Sequence, residues 1–295
     1  MDYFIQLIAS GLMIGGIYAL IALGIVLIYK SSSIFNLAVG PLVALGTFVS
    51  WWFLVGLKLP LPLTVVGLII VAIICSLVIE RYMMRPLIGQ PILSAVMITI
   101  ALMVMISGLI TLIWPGPIRK YPPVLPSGVI ELGNIVISLE SLIGFIVCLL
   151  GFAAFIVLFK WTKMGLAMRA AAEDQQLAQS GGIKVTTMVA IAWSVAIITS
   201  FIGGILLGSL HGVNLGAISA LGFKAFPAVM IGGMESVHGA LIGGLLVGLF
   251  ESLGVGYLDI YVGGGMADVV PFVILLLILI IKPYGLFGYE RIERV

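Results

Sequence analysis

The sequence predicts an all-α fold, a polytopic transmembrane helical bundle of about 8 to 9 spans with broken or re-entrant helices among them. Three observations predict it. Of the 295 residues, 62% are hydrophobic and 9% charged, mean hydropathy is +1.31, and several apolar runs approach the ~20 residues that cross a bilayer. Glycine supplies 37 residues, the composition of helices that pack closely where lipid gives no hydrophobic drive between them. The alternation of a membrane barrel is absent, and no polar stretch is long enough for a separate soluble unit, so residues 1–295 read as one membrane domain.

In chain order, Ile5 to Tyr29 is a first span whose Gly11, Gly15 and Gly16 favour close helix contact. The first thirty residues carry neither a basic leader nor an A-x-A cleavage site, so this run reads as a retained span. Ile34 to Gly56 is the second, with Pro41 expected to break or kink it early and Asn36 just ahead of that break. Leu63 to Ile79 is the third, ending at Glu80, Arg81 and Arg85, and Pro91 to Trp114 is the fourth. A proline-rich loop, Pro115 to Glu140, leads to a fifth span from Ser141 to Phe159, and Val185 to Leu210 is the sixth. The segment from Asn214 to Ser236 carries Gly216, Gly222, Pro227 and the Gly232–Gly233 pair and reads as a broken helix. Irregular backbone at that depth lines a wet cavity or is buried in protein, so the break is either part of a pathway or a packing kink. His238 to Tyr257 is a further span, and Val269 to Ile281 crosses only if it borrows residues from Val262 to Asp268. Cys75 and Cys148 fall inside apolar runs without metal or redox spacing and read as small packing residues.

Between the fifth and sixth spans lies Lys160 to Lys184, KWTKMGLAMRAAAEDQQLAQSGGIK. Ala170 to Ala172 favour helix, Glu173 and Asp174 keep one flank wet, and Gly181–Gly182 is a helix stop. The pattern predicts a short helix outside the bilayer. Its alanines are too small to anchor it in lipid, so its small face suits the groove of another protein, the alternative being an ordinary solvated loop helix. Placing this segment in the cytoplasm puts Lys30, Arg81, Arg85, Lys160, Lys163, Arg169, Lys184, Lys282, Arg291 and Arg294 inside, ten of the fourteen basic residues. Lys58, Arg119, Lys120 and Lys224 fall outside, and with the amino terminus external the positive-inside rule is met over about nine crossings.

Gly67 to Glu80 and Gly239 to Glu251 are both glycine-led apolar runs ending in Glu after a proline-broken segment, the pattern of an inverted repeat or of chance. Glu80, Glu251, Lys224 and Glu235 lie near expected span ends, where they are functional candidates or interfacial residues. The chain carries no phosphate-binding G-x-x-x-x-G-K-[ST], no catalytic residues, no metal-ligand cluster and no nucleic-acid surface. No span holds the row of acids or histidines of a proton relay, which favours a pore driven by an external ATPase over an ion-coupled carrier. A polar solute crossing such a pore needs hydrogen-bond donors and acceptors along its path. Broken helices supply both, and Asn36 with Pro41 and Asn214 with Pro227 mark the candidate pathway; the competing reading has both asparagines as caps.

GLAMRAAAED followed by GGIKV at 165 to 185, VIERYMMRPLIG at 78 to 89, LGFKAFPAVMIGGMESVHGALIGGLLVGLFE at 221 to 251, and KPYGLFG at 282 to 288 together resemble the LivH-type permeases of branched-chain amino acid ABC importers. The resemblance covers almost the whole chain. It implies that residues 160–184 are the cytoplasmic coupling loop, with Gly165, Arg169, Glu173, Gly182 and Ile183 matching the segment that meets the nucleotide-binding subunit. It implies a second homologous permease, two cytoplasmic ATP-binding subunits and an external solute-binding protein as partners, in a bacterial-type plasma (inner) membrane. No cofactor belongs to this chain on that reading, because ATP is used by the partner subunits, and transport proceeds by alternating access. The stretch IFNLAVG at 34 to 40 departs from the family's usual pattern, with Val39 where His is common. Other outcomes are a permease of similar architecture for urea, amides or sugars, or a channel or ion-coupled carrier acting alone.

Overall fold

A computed structural model describes residues 2–288 apart from 88, 89, 117, 127, 133, 134 and 174. Asp174, Arg291 and Arg294, which enter the sequence argument, lie outside the described residues. The chain runs through α1 (Asp2–Ser32), α2 (Val39–Trp51), α3 (Leu61–Ile79), α4 (Ile92–Ile113), a β-hairpin of β1 (Val129–Leu132) and β2 (Ile135–Ser138), and α5 (Leu139–Trp161). It continues through α6 (Lys163–Glu173), α7 (Gln175–Ser180), α8 (Val185–His211), α9 (Leu215–Phe223), α10 (Ala225–Gly232), α11 (Val237–Val262) and α12 (Met266–Ile281). Among the described residues, eight helical segments are long and apolar enough to cross a membrane, α9 with α10 counting as one, and α12 is a shorter apolar helix of 16 residues. The bundle expected from composition is therefore present.

The described helices gather into two units, one holding residues 1–26, 125–149 and 224–295, the other 27–124 and 150–223. In the first, α1 and α11 meet through glycine at four-residue spacing on both sides. A Cβ on Gly11 would stand 2.7 Å from the Gly248 carbonyl, and one on Gly15 would stand 2.7 Å from that of Gly244. On its other side α11 sets Gly239 and Gly243 against Gly232 and Ala228 of α10. Absent side chains let backbones approach and recover dispersion that lipid does not offer. In the second unit α2 and α8 do the same: Gly46 lies against Phe201, and Gly204 against Val43 and Thr47, whose hydroxyl donates to the Gly204 carbonyl at 2.7 Å. Ser76 of α3 and Ser194 of α8 share a 2.8 Å hydrogen bond.

Several expectations are corrected. The second span does not start at Ile34. Residues 33–38 are irregular, Ser33 has φ 55°, and α2 begins at Val39, so Pro41 sits in the first turn, where its missing N–H has no acceptor to lose. After Trp51 the helix widens into a π-turn, Trp52–Gly56. The 214–236 segment is interrupted at Lys224 and again at residues 233–236, where Gly233 takes φ +100° and ends α10 as expected of the Gly232–Gly233 pair, and not at Gly216, Gly222 or Pro227. Gly216 and Gly222 lie within α9, and Pro227 lies in the first turn of α10, where it removes the N–H that the Phe223 carbonyl would bind. Lys224 keeps near-helical angles, φ −65° and ψ −12°, so the interruption is a kink and not an unwound stretch. Lys224 is 3% exposed and ion-paired, which removes it from the outside loop in the charge count. Glu251 lies in the middle of α11, whereas Glu80 follows the end of α3 in a π-turn, so the two glutamates hold different places in their spans. The last helix gains Met266 to Asp268, while Val262 belongs to α11.

Gly248→Val, which drives a side chain into the backbone of Gly11 and Gly15, should cost about 1–3 kcal/mol. Gly108→Ala in α4, where nothing lies within 4 Å of a new Cβ, should stabilise by about 0.5–1 kcal/mol. Thermal unfolding of the two purified variants in detergent checks both signs.

Candidate functional site

The polar segment after α5 is fastened at both ends. Thr162 turns the chain, its hydroxyl donating to the Leu158 carbonyl at 2.5 Å and accepting the Gly165 N–H at 3.0 Å, a side-chain cap for α6. Gly165 is required there, because a Cβ would fall 2.6 Å from the Leu158 carbonyl oxygen. Arg169 reaches back to donate to the Phe159 carbonyl at 2.5 Å and lies over the Phe159 ring at 5.5 Å, with the Lys30 ammonium also 5.5 Å from that ring. Gly165, Met168 and Ala171 form the buried face of α6; Met164 at 42%, Leu166 at 61% and Leu177 of α7 at 74% are apolar side chains left outside, with Glu173 exposed. At the far end Gly182 takes φ +84°, its N–H bonds the Gln179 carbonyl at 2.9 Å, and the N–H of half-buried Ile183 bonds that of Ala178 at 3.0 Å. That pair of bonds is the Schellman ending, which wants glycine at the left-handed position.

The four pathway candidates separate. Asn36 is 2% exposed and its Oδ1 accepts the Ala38 N–H at 3.0 Å, closing an Asx turn before α2, while the Thr99 hydroxyl holds the neighbouring Phe35 carbonyl at 3.1 Å. Pro41 is the third residue of the buried start of α2. Asn214 also caps, its Oδ1 accepting the Ala217 N–H at 3.1 Å, but it lies on the wall of a cavity of about 270 Å³. Phe48 of α2, Ile110, Thr111 and Trp114 at the end of α4, Gly116 and Ile118 of the adjoining loop, and Val213 to Leu215 line that cavity, which is open on one side. The loop is pinned beside it: the Arg119 and Val213 backbones pair, and the Arg119 guanidinium lies 4.6 Å from the Trp51 ring. Tyr121 donates to Ser50 Oγ at 2.7 Å, and burial pushes its hydroxyl up to about 12, so it stays neutral. Pro227 belongs to the other unit, buried in α10.

One cluster is not assembled by sequence reasoning. Lys224 Nζ lies 2.9 Å from Glu251 Oε1 and 3.1 Å from Asp268 Oδ1, and the Tyr18 hydroxyl donates to Glu251 Oε1 at 3.3 Å. Glu251 is 8% exposed and its Oε2 has no hydrogen-bond partner among the described residues. A lysine inside an apolar run must find a carboxylate, and Glu251 is the carboxylate carried mid-way along α11; that signal is present in the sequence. Glu80, by contrast, has Arg85 at 3.9 Å, and the arginine is half exposed. Among the described residues no three His, Cys, Asp or Glu side chains converge as a metal set would.

Comparison with known proteins decides the family. The profile of the branched-chain amino acid transport system / permease component family matches residues 7–279. The chain belongs to that family. It is a multi-pass membrane protein and a transport permease component. It is 30% identical to the high-affinity branched-chain amino acid transport system permease protein LivH of Escherichia coli over 99% of this chain and 98% of that one. It is 28% identical, over the same shares, to the permease protein BraD of Pseudomonas aeruginosa. Among solved structures, PsaBC from Streptococcus pneumoniae in complex with Fab has a similar fold, with TM-score 0.53 and 13% identity over 97% of this chain and 94% of that one. The permease thus shares its fold with a chain of low sequence identity.

Lys224→Met should destabilise the permease by about 3–5 kcal/mol, because it strands a buried carboxylate, and adding Glu251→Leu should recover most of the loss. Equal melting temperatures for the single and the double variant would contradict the pairing.

Proposed function

We propose that this permease is one half of the translocation pathway of an ATP-driven importer for branched-chain or similar hydrophobic amino acids in a bacterial-type plasma (inner) membrane. The carrying observation is the family match over residues 7–279, together with curated branched-chain amino acid permeases aligned over 99% of the chain. A second homologous permease completes the pathway, two cytoplasmic ATP-binding subunits drive it, and an external solute-binding protein delivers the solute. The chain hydrolyses nothing itself. ATP closes the ATPase pair, the docked segments move with it, and the two permeases alternate between inward and outward openings.

Residues 160–184 are the coupling loop in this reading. The inner face of α6 is occupied by its own unit through Gly165, Met168 and Ala171, so a partner meets the opposite side, where Leu166 and Glu173 are exposed. Glu173 closes α6 at its carboxyl end, where the helix dipole disfavours a carboxylate; its place there suits recognition better than local stability. Arg169 acts as a brace beneath that surface rather than as a contact on it, and Gly182 with Ile183 fixes the exit toward α8.

Purified with its partners in proteoliposomes, the wild-type permease should take up leucine, isoleucine or valine only with ATP and the binding protein; uptake without either would place it among carriers or channels. Glu173→Lys and Gly182→Pro should assemble yet lower uptake about tenfold or more, the scale of a coupling free energy of about 1–3 kcal/mol. Wild-type rates in both would remove the coupling role from this loop. For orientation, with Cys75 and Cys148 replaced by alanine, Lys120→Cys should react with an external impermeant thiol reagent and Gln179→Cys should not. The opposite labelling would invert the topology.

A further inference from the structure

The cavity between α2, α4 and the start of α9 has the size and electrical pattern of a site for one small zwitterion. At about 270 Å³ it lies just under the ~300–1,000 Å³ range of pockets that hold drug-sized molecules, so it suits an amino acid and little more. Its walls are Phe48, Ile110, Trp114, Ile118, Val213 and Leu215, with Phe48 and Trp114 rings 5.8 Å apart. None of the residues lining it is ionisable. Yet its two ends differ in sign. On one side stands the end of α4, where the carbonyl of the lining residue Thr111 meets no N–H within the helix and carries partial negative charge. On the other stands the start of α9, where the N–H of the lining residue Leu215 has no partner within the helix and carries partial positive charge. Asn214 adds to that positive side: its Oδ1 is committed to the Ala217 N–H, which leaves its amide NH₂ to donate.

We infer that this cavity is a transient binding site for the transported amino acid, holding its carboxylate at Asn214 and the first turn of α9, its ammonium at the end of α4, and its branched side chain against Phe48, Trp114 and Ile118. The inference rests on the function proposed above and deepens it, since it assigns both the place and the selectivity. A basic amino acid would bring a second positive charge to a wall that has no carboxylate and beside which Arg119 already stands, and the penalty for leaving it unpaired falls on the wrong solute. Partial charges on helix ends also hold the right solute without the tight grip of a fixed ion, as a conducting site requires. In the orientation inferred above, the cavity opens on the external side, where the binding protein delivers.

Two variants of the complete importer in proteoliposomes test it. Asn214→Asp keeps the oxygen that caps α9 and replaces the donating NH₂ with an acceptor, so the helix persists while the carboxylate is repelled. Ile118→Trp fills the cavity from a side chain that is 71% exposed and therefore needs no repacking. Each should lower the maximal rate of leucine uptake about tenfold or more, the discrimination a polar or steric mismatch produces, in complexes that co-purify with all their subunits as in wild type. A merely capping Asn214 predicts wild-type uptake in Asn214→Asp. Wild-type uptake in both assembled variants would overturn the site while leaving the proposed function intact. Absence of branched-chain amino acid uptake by the wild-type complex would overturn both together.

Discussion

Inside a bilayer no water completes an open backbone hydrogen bond, so each interruption of a helix must be closed by a side chain or a neighbouring chain. The permease closes its interruptions by different chemistry. Before α2, Asn36 binds the Ala38 N–H and Thr99 binds the Phe35 carbonyl, so an irregular stretch from 33 to 38 is held by neutral groups. Between α9 and α10 the backbone scarcely departs from helix, and Lys224 is fixed by two carboxylates. Between α8 and α9, Gly212 takes φ +77°, Val213 pairs with Arg119, and Asn214 caps α9. The neutral closure at Asn214 leaves donors and acceptors near a cavity, whereas the ionic closure buries Lys224 and Glu251 and leaves Asp268 exposed.

Glycine makes the second constraint operate. Helices separated only by hydrogen atoms bring backbone oxygen within contact range, and at such distance a single methyl group has no place to go. Along α11 that condition holds on two faces at once, toward α1 at Gly244 and Gly248 and toward α10 at Gly239 and Gly243. A helix gripped on two faces cannot rotate to relieve a new side chain. α4 is the contrast, since Gly108 meets nothing within 4 Å, and its outward residues Val104 and Leu112 are exposed.

Span existence was legible because it depends on run length and composition, both local quantities. The glycine contact of α1 was legible for the same reason, since Gly11 and Gly15 lie on one helical face. Proline was legible as a disturbance but not in its place. A break expected at Pro41 or Pro227 itself neglects that a proline acts on the residue four before it, so the disturbance falls at the residues just ahead and each proline opens a helix. The Lys224 cluster requires pairing residues 27 and 44 positions apart, and apolar periodicity carries no information on which acid a lysine meets. The resemblance places Arg169 in the expected docking segment; its geometry, bonded to the Phe159 carbonyl, depends on a turn at Thr162 that residue types alone do not reveal.

That turn matters for how a push on the proposed coupling loop would travel. A short helix with loose ends absorbs displacement in its hinges, and nothing beyond it needs to move. Here the first turn of α6 is tied to the end of α5 by Thr162, Gly165 and Arg169, and α7 is locked by Gly182 and Ile183 before α8 starts at Val185. Displacement is therefore passed to two long helices instead of being lost. α8 packs on α3 through Ser76 and Ser194 and on α2 through Gly46, Gly204 and Thr47, and α2 supplies Phe48, one wall of the cavity beside Asn214. Contacts of this kind, made through glycine and one short hydrogen bond, have little side-chain freedom in which to dissipate a shift, because packed interiors are stiff and respond by moving as bodies. Within this unit the proposed coupling loop and the cavity are joined through α8 and its neighbour α2, the mechanical connection that the proposed ATP-driven mechanism requires.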